Sequence, residues 1–173
     1  FTRPTTAHGP FAYTPPVNPG DAVILEQEPN DTIAQANPFT CSDTVEGEVS
    51  PALEDDIFEL VLTGATALQA RVDPGTSGSP IGDARLEILD PSGNTIAFND
   101  DFNGLYPQIN ILLLPGTYYF LVDGFSSSTG TYVFNPNCTV VTTLDCTNST
   151  GGGTIATLDQ SDFYVLNVAS PDT

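Results

Sequence analysis

The amino-acid sequence predicts an all-β protein, a jelly-roll-like antiparallel β-sandwich, and three observations support that fold class. Short runs rich in Val, Ile, Leu, Phe and Tyr recur at the spacing of sandwich strands, separated by Gly, Pro, Asn and Asp. Apolar Leu86 and Ile88 alternate with charged Arg85 and Glu87, as in a strand with one buried face. The single helical candidate is one short turn at 32–36.

Nine strands are predicted between residues 22 and 135. They cover residues 22–26, 44–49, 56–63, 67–72, 84–89, 94–98, 108–113, 117–123 and 130–135. The segments at 91–94 and 115–116 combine Pro and Gly in the manner of tight turns, so a hairpin is predicted at each. No apolar run reaches the roughly 20 residues that span a bilayer, so no membrane span is expected.

Two further segments flank the predicted sandwich, which we place at residues 21–138. Residues 1–20 are rich in Pro, Thr and Gly and predict an extended, polyproline-like arm. Residues 139–173 contain a partial second repeat, because the stretch after Cys146 repeats the pattern that follows Cys41 without a gap. Two or three strands are not stable alone, so we expect those of the repeat to join this sandwich or a neighbouring subunit.

The charge balance excludes one class of partner and favours another. The formal net charge is −19, since 22 acidic residues face only 3 basic ones. Nucleic-acid binding is excluded because too few cations are present to neutralise phosphates. Carboxylates without basic partners must be stabilised by solvent, salt or bound cations.

Several features predict a secreted, extracellular or cell-surface protein. The chain has no methionine, so we expect an upstream segment to have been removed, as secretion does. Its 3 cysteines show no CxxC spacing and fit an oxidising compartment. Sequons make three asparagines candidate glycan acceptors: Asn30, Asn137 and Asn148.

Acidic residues cluster in three places, at 26–31, 54–56 and 99–101. Calcium takes six to eight oxygen ligands from carboxylates, amides and backbone carbonyls, and the first cluster offers several within one tight turn. The alternative is that these are solvated loop carboxylates. None of the clusters fits the EF-hand spacing, so a calcium site would have to be assembled from separate parts of the sheet.

The stretch from Leu25 to Asn135 resembles the bacterial pre-peptidase C-terminal domain. That family is a non-catalytic β-sandwich of secreted proteins and is related to the collagen-binding domains of clostridial collagenases. The segments that carry the resemblance are, in chain order, EQEPNDT, AQANPF, EGEV, LEDDIFEL, DARLEILDPSGNTIAFNDD, LLPGTYYFLVDGF and GTYVF.

The resemblance implies a site for Ca²⁺ at the N-terminal acidic segment. The residues at the family's ligand or acidic positions are Glu26, Glu28, Asn30, Asp31, Glu54, Asp56, Asp100 and Asp101. Glu54 stands where the family has Asp, and turn capping is an alternative role for Asp100 and Asp101. The second repeat lacks the E-x-E-x-N-D segment, so no calcium site is expected there.

Two functions follow from this organisation, and neither is enzymatic, because the only histidine, His8, lies in the arm. The first is a structural subunit of a calcium-stabilised extracellular filament, sheath or surface layer, assembled from copies of itself by strand exchange. By position we favour a disulfide between Cys41 and Cys138 over pairings with Cys146, which would then lack a partner in the chain. The alternative is a secreted, monomeric binding module for protein or polysaccharide that accompanies a peptidase.

Overall fold

The computed structural model describes residues 22–144 and 164–166. Two five-stranded sheets pack face to face, and no α-helix occurs among these residues. In chain order the strands are β1 (Ala22–Leu25), β2 (Asn37–Phe39), β3 (Asp43–Val49), β4 (Asp55–Leu62), β5 (Thr66–Pro74), β6 (Ala84–Leu89), β7 (Thr95–Asn99), β8 (Gln108–Leu113), β9 (Gly116–Gly124), β10 (Gly130–Val140), β11 (Thr142–Leu144) and β12 (Tyr164–Leu166).

The sheets are mixed rather than purely antiparallel. The first sheet has the strand order β1-β3-β10-β5-β8, and the second has the order β2-β4-β9-β6-β7. The two edge pairs β1–β3 and β2–β4 are parallel, whereas the remaining pairs in both sheets are antiparallel. The predicted all-β sandwich is therefore confirmed, and its antiparallel character holds away from those two edges.

The core lies between the sheets and contains a cluster of phenylalanine rings among aliphatic side chains. The ring of Phe39 meets those of Phe120 and Phe134 edge-on, with centroids 5.3 Å and 5.4 Å apart. Phe58 stacks on Phe134 at 6.0 Å. Such offset and edge-to-face contacts are the arrangements that aromatic rings prefer. The four rings come from β2, β4, β9 and β10, so this aromatic cluster joins the two sheets.

Each of the nine predicted strands is present within a few residues of its predicted bounds. The predicted helical turn is a 3-10 helix over Ile33–Gln35, and the hairpin at 91–94 joins β6 to β7. The second predicted hairpin is wrong: β8 pairs with β5 while β9 pairs with β4 and β6, so the turn at 115–116 crosses between the sheets. The sequence pattern also missed β2 and the continuation of β10 beyond residue 135.

The disulfide and the flanking segments complete the fold. Cys41, in the turn before β3, is bonded to Cys138 in β10, which confirms the pairing predicted by position. Strands β11 and β12 pair with each other in a separate parallel sheet. The arm at 1–20, the rest of the second repeat, Cys146 and Asn148 lie outside the described residues. In the described part of the chain no helix is long and apolar enough to cross a membrane.

Candidate metal centre

The acidic loop that follows β1 is held between β3 of the first sheet and β4 of the second. The backbone N–H of Glu26 donates to the carbonyl of Glu46 in β3 at 2.9 Å, which continues the parallel pairing. Further along, the carbonyl of Asn30 accepts from the N–H of Ile57 in β4 at 3.1 Å. The loop therefore bridges the sheets, and its side chains meet those that precede and begin β4.

Two carboxylate triads form where the loop meets β4. One oxygen from each of Glu26, Glu28 and Asp56 lies within 4.8 Å of the other two. Glu28 also belongs to a second triad with Asp31 and Glu54, in which the oxygens are equally close. Because calcium ligands lie at about 2.4 Å from the ion, two ligands of one ion are at most about 4.8 Å apart. The oxygens are thus already at separations that one calcium ion can span.

Buried oxygens at this site have no hydrogen-bond partner among the described residues. The unpartnered atoms include both carboxylate oxygens of Asp56 and the side-chain carbonyl oxygen of Asn30. Both residues are fully buried, with 0% of their surface exposed. Buried polar atoms are normally paired, and leaving one unpaired costs about 1–3 kcal/mol, more if it is charged. Coordination to a cation would satisfy these oxygens, so the donor set fits a metal ion.

Burial changes the protonation equilibria of the same carboxyl groups. It raises the pKa of Asp56 to about 10, with the neighbouring Glu26 adding to the effect. Burial also raises the pKa of Glu26 and that of Glu54. The described arginines do not relieve this, because Arg71 and Arg85 pair with carboxylates elsewhere. At neutral pH burial therefore favours the protonated form of Asp56, and a bound cation would favour its ionised form.

Backbone and amide groups orient the carboxylates. One oxygen of Glu26 accepts from the N–H of Glu48 at 2.8 Å, and the other accepts from the side-chain amide of Asn30 at 3.2 Å. The N–H of Asn30 donates to Glu28 at 3.0 Å, and the N–H of Ser50 donates to Glu54. These bonds use one lone pair of each acceptor oxygen and leave others for a ligand.

Tyr132 and Gly47 complete the centre and were missed by sequence reasoning. They are cross-strand partners in β10 and β3. The hydroxyl of Tyr132 is buried and has no partner among the described residues, and burial, followed by the charges of Asp56 and Glu26, raises its pKa. A Cβ on Gly47 would meet that hydroxyl and would lie 2.6 Å from a Glu26 oxygen. The one available signal was a glycine inside a strand, which often marks a close approach.

The remaining candidate residues lie apart from the two triads. Asp100 and Asp101 follow β7 and belong to neither; their charges act instead on Asp83, whose pKa is raised first by burial and then by those charges. Asn30 is fully buried, so a glycan on it does not fit the folded chain. Asn137 is exposed on β10.

The comparisons with known proteins agree with the predicted resemblance at the level of the fold. The pre-peptidase C-terminal domain of a Bacillus anthracis collagenase is similar to this chain, with 20% identity, a TM-score of 0.50, and coverage of 59% of this chain and 94% of that domain. PliG of Aeromonas hydrophila, a periplasmic inhibitor of g-type lysozyme, gives 15% identity and a TM-score of 0.43 over 69% of this chain and 97% of that one. No family model matches the chain, and no curated protein does.

Proposed function

We propose that this chain is an exported, non-catalytic module whose β-sandwich is stabilised by calcium bound between the β1–β2 loop and the start of β4. The observation that carries the proposal is the buried, unpartnered donor set of Asp56 and Asn30, which faces a cluster of carboxylates. Glu26, Glu28 and Asp56 would hold the ion, with Asp31 and Glu54 beside them. The same carboxylates are thereby unavailable for acid–base catalysis.

The ligand chemistry favours calcium over other cations. The donors are all oxygens, from carboxylates and an amide, which excludes a preference for the softer transition metals. Magnesium demands near-ideal octahedral geometry at about 2.0–2.1 Å and keeps several waters, whereas this centre offers a crowded set of carboxylates. Calcium accepts six to eight oxygens with flexible geometry. Export is supported by the disulfide, since such bonds persist in oxidising compartments.

Calorimetric titration of the chelated protein tests the proposal. The wild type is expected to bind calcium with a Kd in the range of about 10⁻⁵–10⁻³ M and magnesium more weakly. Glu28→Gln, at the carboxylate that both triads share, should weaken calcium binding at least tenfold. Asp101→Asn removes the same charge outside both triads and should leave the affinity within about twofold. Absence of binding at millimolar calcium, or equal losses in the two variants, would reject the site.

A second candidate function, self-assembly by strand addition, is favoured by two edge strands. β7 and β8 are the last strands of their sheets, on the same side of the sandwich. Neither contains a charged residue, and Ile96, Phe98 and Leu112 are 42%, 49% and 41% exposed. Natural proteins usually protect sheet edges with charges, prolines or covering segments. An edge without charge could accept a strand from another copy and so build an extracellular filament, sheath or surface layer.

Light scattering on the whole chain distinguishes assembly from a monomeric module. A mass near 18.2 kDa, both in calcium and after chelation, would exclude the structural-subunit function. Polymers that dissolve on chelation would support assembly stabilised by calcium. Polymers that persist after chelation would support assembly through strand addition alone, and Leu112→Lys on the β8 edge should then reduce their length.

A further inference from the structure

A groove of about 870 Å³ lies over β5, β8 and β10 on the outer face of the first sheet. Ligand sites in proteins typically have volumes of about 300–1,000 Å³. None of the residues that line this groove belongs to the carboxylate triads. Its polar and aromatic lining residues are Gln69, Phe102, Gln108, Asn110, Asn137 and Thr139.

The strand register places amide side chains in a row across the groove. Asn137 in β10 is the cross-strand partner of Gln69 in β5, which is the partner of Asn110 in β8. Directly opposed residues in a sheet have Cβ atoms about 4.5–5.5 Å apart, so the three amides are neighbours on one face. Gln108 precedes Asn110 by two positions and therefore points to the same side of β8.

One hydrogen bond fixes the orientation of the central amides. The Nε2 of Gln69 donates to the Oδ1 of Asn110 at 3.1 Å. Each amide carries a carbonyl acceptor and two N–H donors, so Gln69 still presents its acceptor and Asn110 still presents its donors. The pair thus offers an acceptor and a donor at adjacent, fixed positions in the groove.

The groove is electrically neutral on a strongly acidic chain. None of its lining residues is ionisable, whereas the whole chain has a formal net charge of −19. A neutral surface gives no charge attraction to ionic ligands, and the surrounding acidity repels anions. Phe102, which also lines the groove, is 59% exposed and offers an apolar ring face. The groove therefore fits a ligand that is uncharged, rich in hydrogen-bonding groups and partly apolar.

We propose that this groove binds a neutral oligosaccharide. A sugar hydroxyl both donates and accepts hydrogen bonds, which matches the paired acceptor and donor of Gln69 and Asn110. The C–H face of a sugar ring can pack on Phe102. A peptide fits less well, because extended peptides are usually recognised through a sheet edge and through pockets for alternate side chains, and this is an amide-covered sheet face.

The oligosaccharide has two sources to distinguish, an external polysaccharide and a glycan carried by Asn137. Asn137 begins a sequon and also lines the groove. Both sources present the same hydroxyl chemistry. The inference goes beyond the calcium site and does not depend on it, since the two share no residue. Failure of calcium binding would therefore leave it standing, and the reverse also holds.

Titration of the full chain, made in a host without N-glycosylation, tests the proposal directly. The probes are cellohexaose, chitohexaose and mannohexaose, with hexagalacturonate as the acidic counterpart and a triple-helical (Pro-Hyp-Gly)₁₀ peptide. At least one neutral hexasaccharide is expected to bind with a Kd of about 1 mM or lower and to shift the side-chain amide resonances of Gln69 and Asn110. The acidic sugar should bind at least tenfold more weakly.

Matched variants locate the site. Asn110→Asp keeps the shape but replaces the donors with a charge, and should weaken binding at least tenfold. Asn103→Asp makes the same change at an exposed loop asparagine outside the groove lining and should leave the affinity unchanged. Thermal unfolding of both variants verifies that they are folded. Equal affinity in the two variants, or tighter binding of the peptide or of the acidic sugar, would overturn the proposal.

Protein from a glycosylating host separates the two sources. If the ligand is external, the unglycosylated chain binds the added hexasaccharide. If it is the chain's own glycan, the glycosylated chain shows the same shifts at Gln69 and Asn110 without added sugar, and Asn137→Gln abolishes them. Either result supports a neutral-sugar site. If neither added hexasaccharide nor the chain's own glycan shifts these resonances, the proposed sugar site is overturned.

Discussion

Replacing the buried Asp56 with asparagine is the most informative perturbation of the proposed calcium centre. An aspartate ionises near its ordinary pKa of 3.8 in the unfolded chain, whereas burial raises the pKa of Asp56 to about 10 in the folded chain. Between these values the folded state keeps a proton that the unfolded state releases, so without a cation stability falls as the pH rises. At about 1.4 kcal/mol per pH unit, the loss between pH 3.8 and pH 7 is about 4 kcal/mol.

Asp56→Asn removes this titration because the amide is neutral at every pH. In chelator at pH 7 the variant is expected to be more stable than the wild type, by up to about 4 kcal/mol. Calcium at a hundred times its Kd should stabilise the wild type by about 2.7 kcal/mol and the variant by much less, because one ligand is lost.

Urea unfolding between pH 4 and pH 8, in chelator and in calcium, measures both effects. The exposed Asp101 lies outside both triads, so Asp101→Asn is the matched control and should keep the loss of stability with rising pH that Asp56 causes. An Asp56→Asn variant less stable than the wild type in chelator would contradict a buried, proton-binding Asp56. So would a variant that retains the wild-type slope with pH, and equal stabilisation of the two proteins by calcium would contradict a calcium-binding Asp56.

Two further substitutions test the surroundings of the centre and the covalent link. Gly47→Ala should lower calcium affinity at least tenfold and the free energy of unfolding by about 1–3 kcal/mol, because its Cβ would meet the hydroxyl of Tyr132. Gly64→Ala is the control in the calorimetric titration, since a Cβ there meets nothing within 4 Å. Replacing Cys41 and Cys138 together by serine opens a link across a sequence separation of 97 and should lower the free energy of unfolding by about 4–5 kcal/mol in urea titrations. Calcium affinity unchanged in the first variant, or stability unchanged in the second, would contradict these expectations.

Most of the fold could be predicted because its strands alternate visibly in the sequence. β6 shows this directly, with Leu86 and Ile88 buried and Arg85 and Glu87 partly exposed. β2 could not be found in this way, since it has only three residues, one of them Pro38. It is a strand because the chain runs parallel to β4 at a sheet edge, which depends on the chain path rather than on a local pattern.

The residues of the candidate site could be predicted where they are close in the sequence, but not where strand pairing brings them together. Glu26 and Glu28 stand out in one short segment, and the resemblance supplied Asp56. Tyr132 alternates with core residues and its sequence context indicates only packing. Its role depends on the register that places it opposite Gly47, and a register is fixed by the pairing of whole strands.

The attachment of β1 links the metal centre to the stability of the sandwich edge. Val23 and Leu25 are 50% and 68% exposed, so β1 packs against the core mainly through Ile24. Ordering four residues costs about 4–8 kcal/mol, while partial burial of one side chain returns at most about 1–3 kcal/mol and each backbone hydrogen bond about 1 kcal/mol. Without calcium to hold Glu26 in place, the free energy of pairing β1 with β3 is therefore close to zero.

Chelation is accordingly expected to release β1 while the pairing of β3 with β10 persists. Amide hydrogen exchange measures this. The amides of Ile24 and Glu26, which face β3, are expected to exchange faster in chelator, and the amide of Phe134, in the centre of β10, serves as the internal control. The release should require only local opening, because β1 is an edge strand and contributes little to the core. Equal protection of β1 with and without calcium would show that strand pairing alone holds this edge, and the calcium centre would then have no structural consequence there.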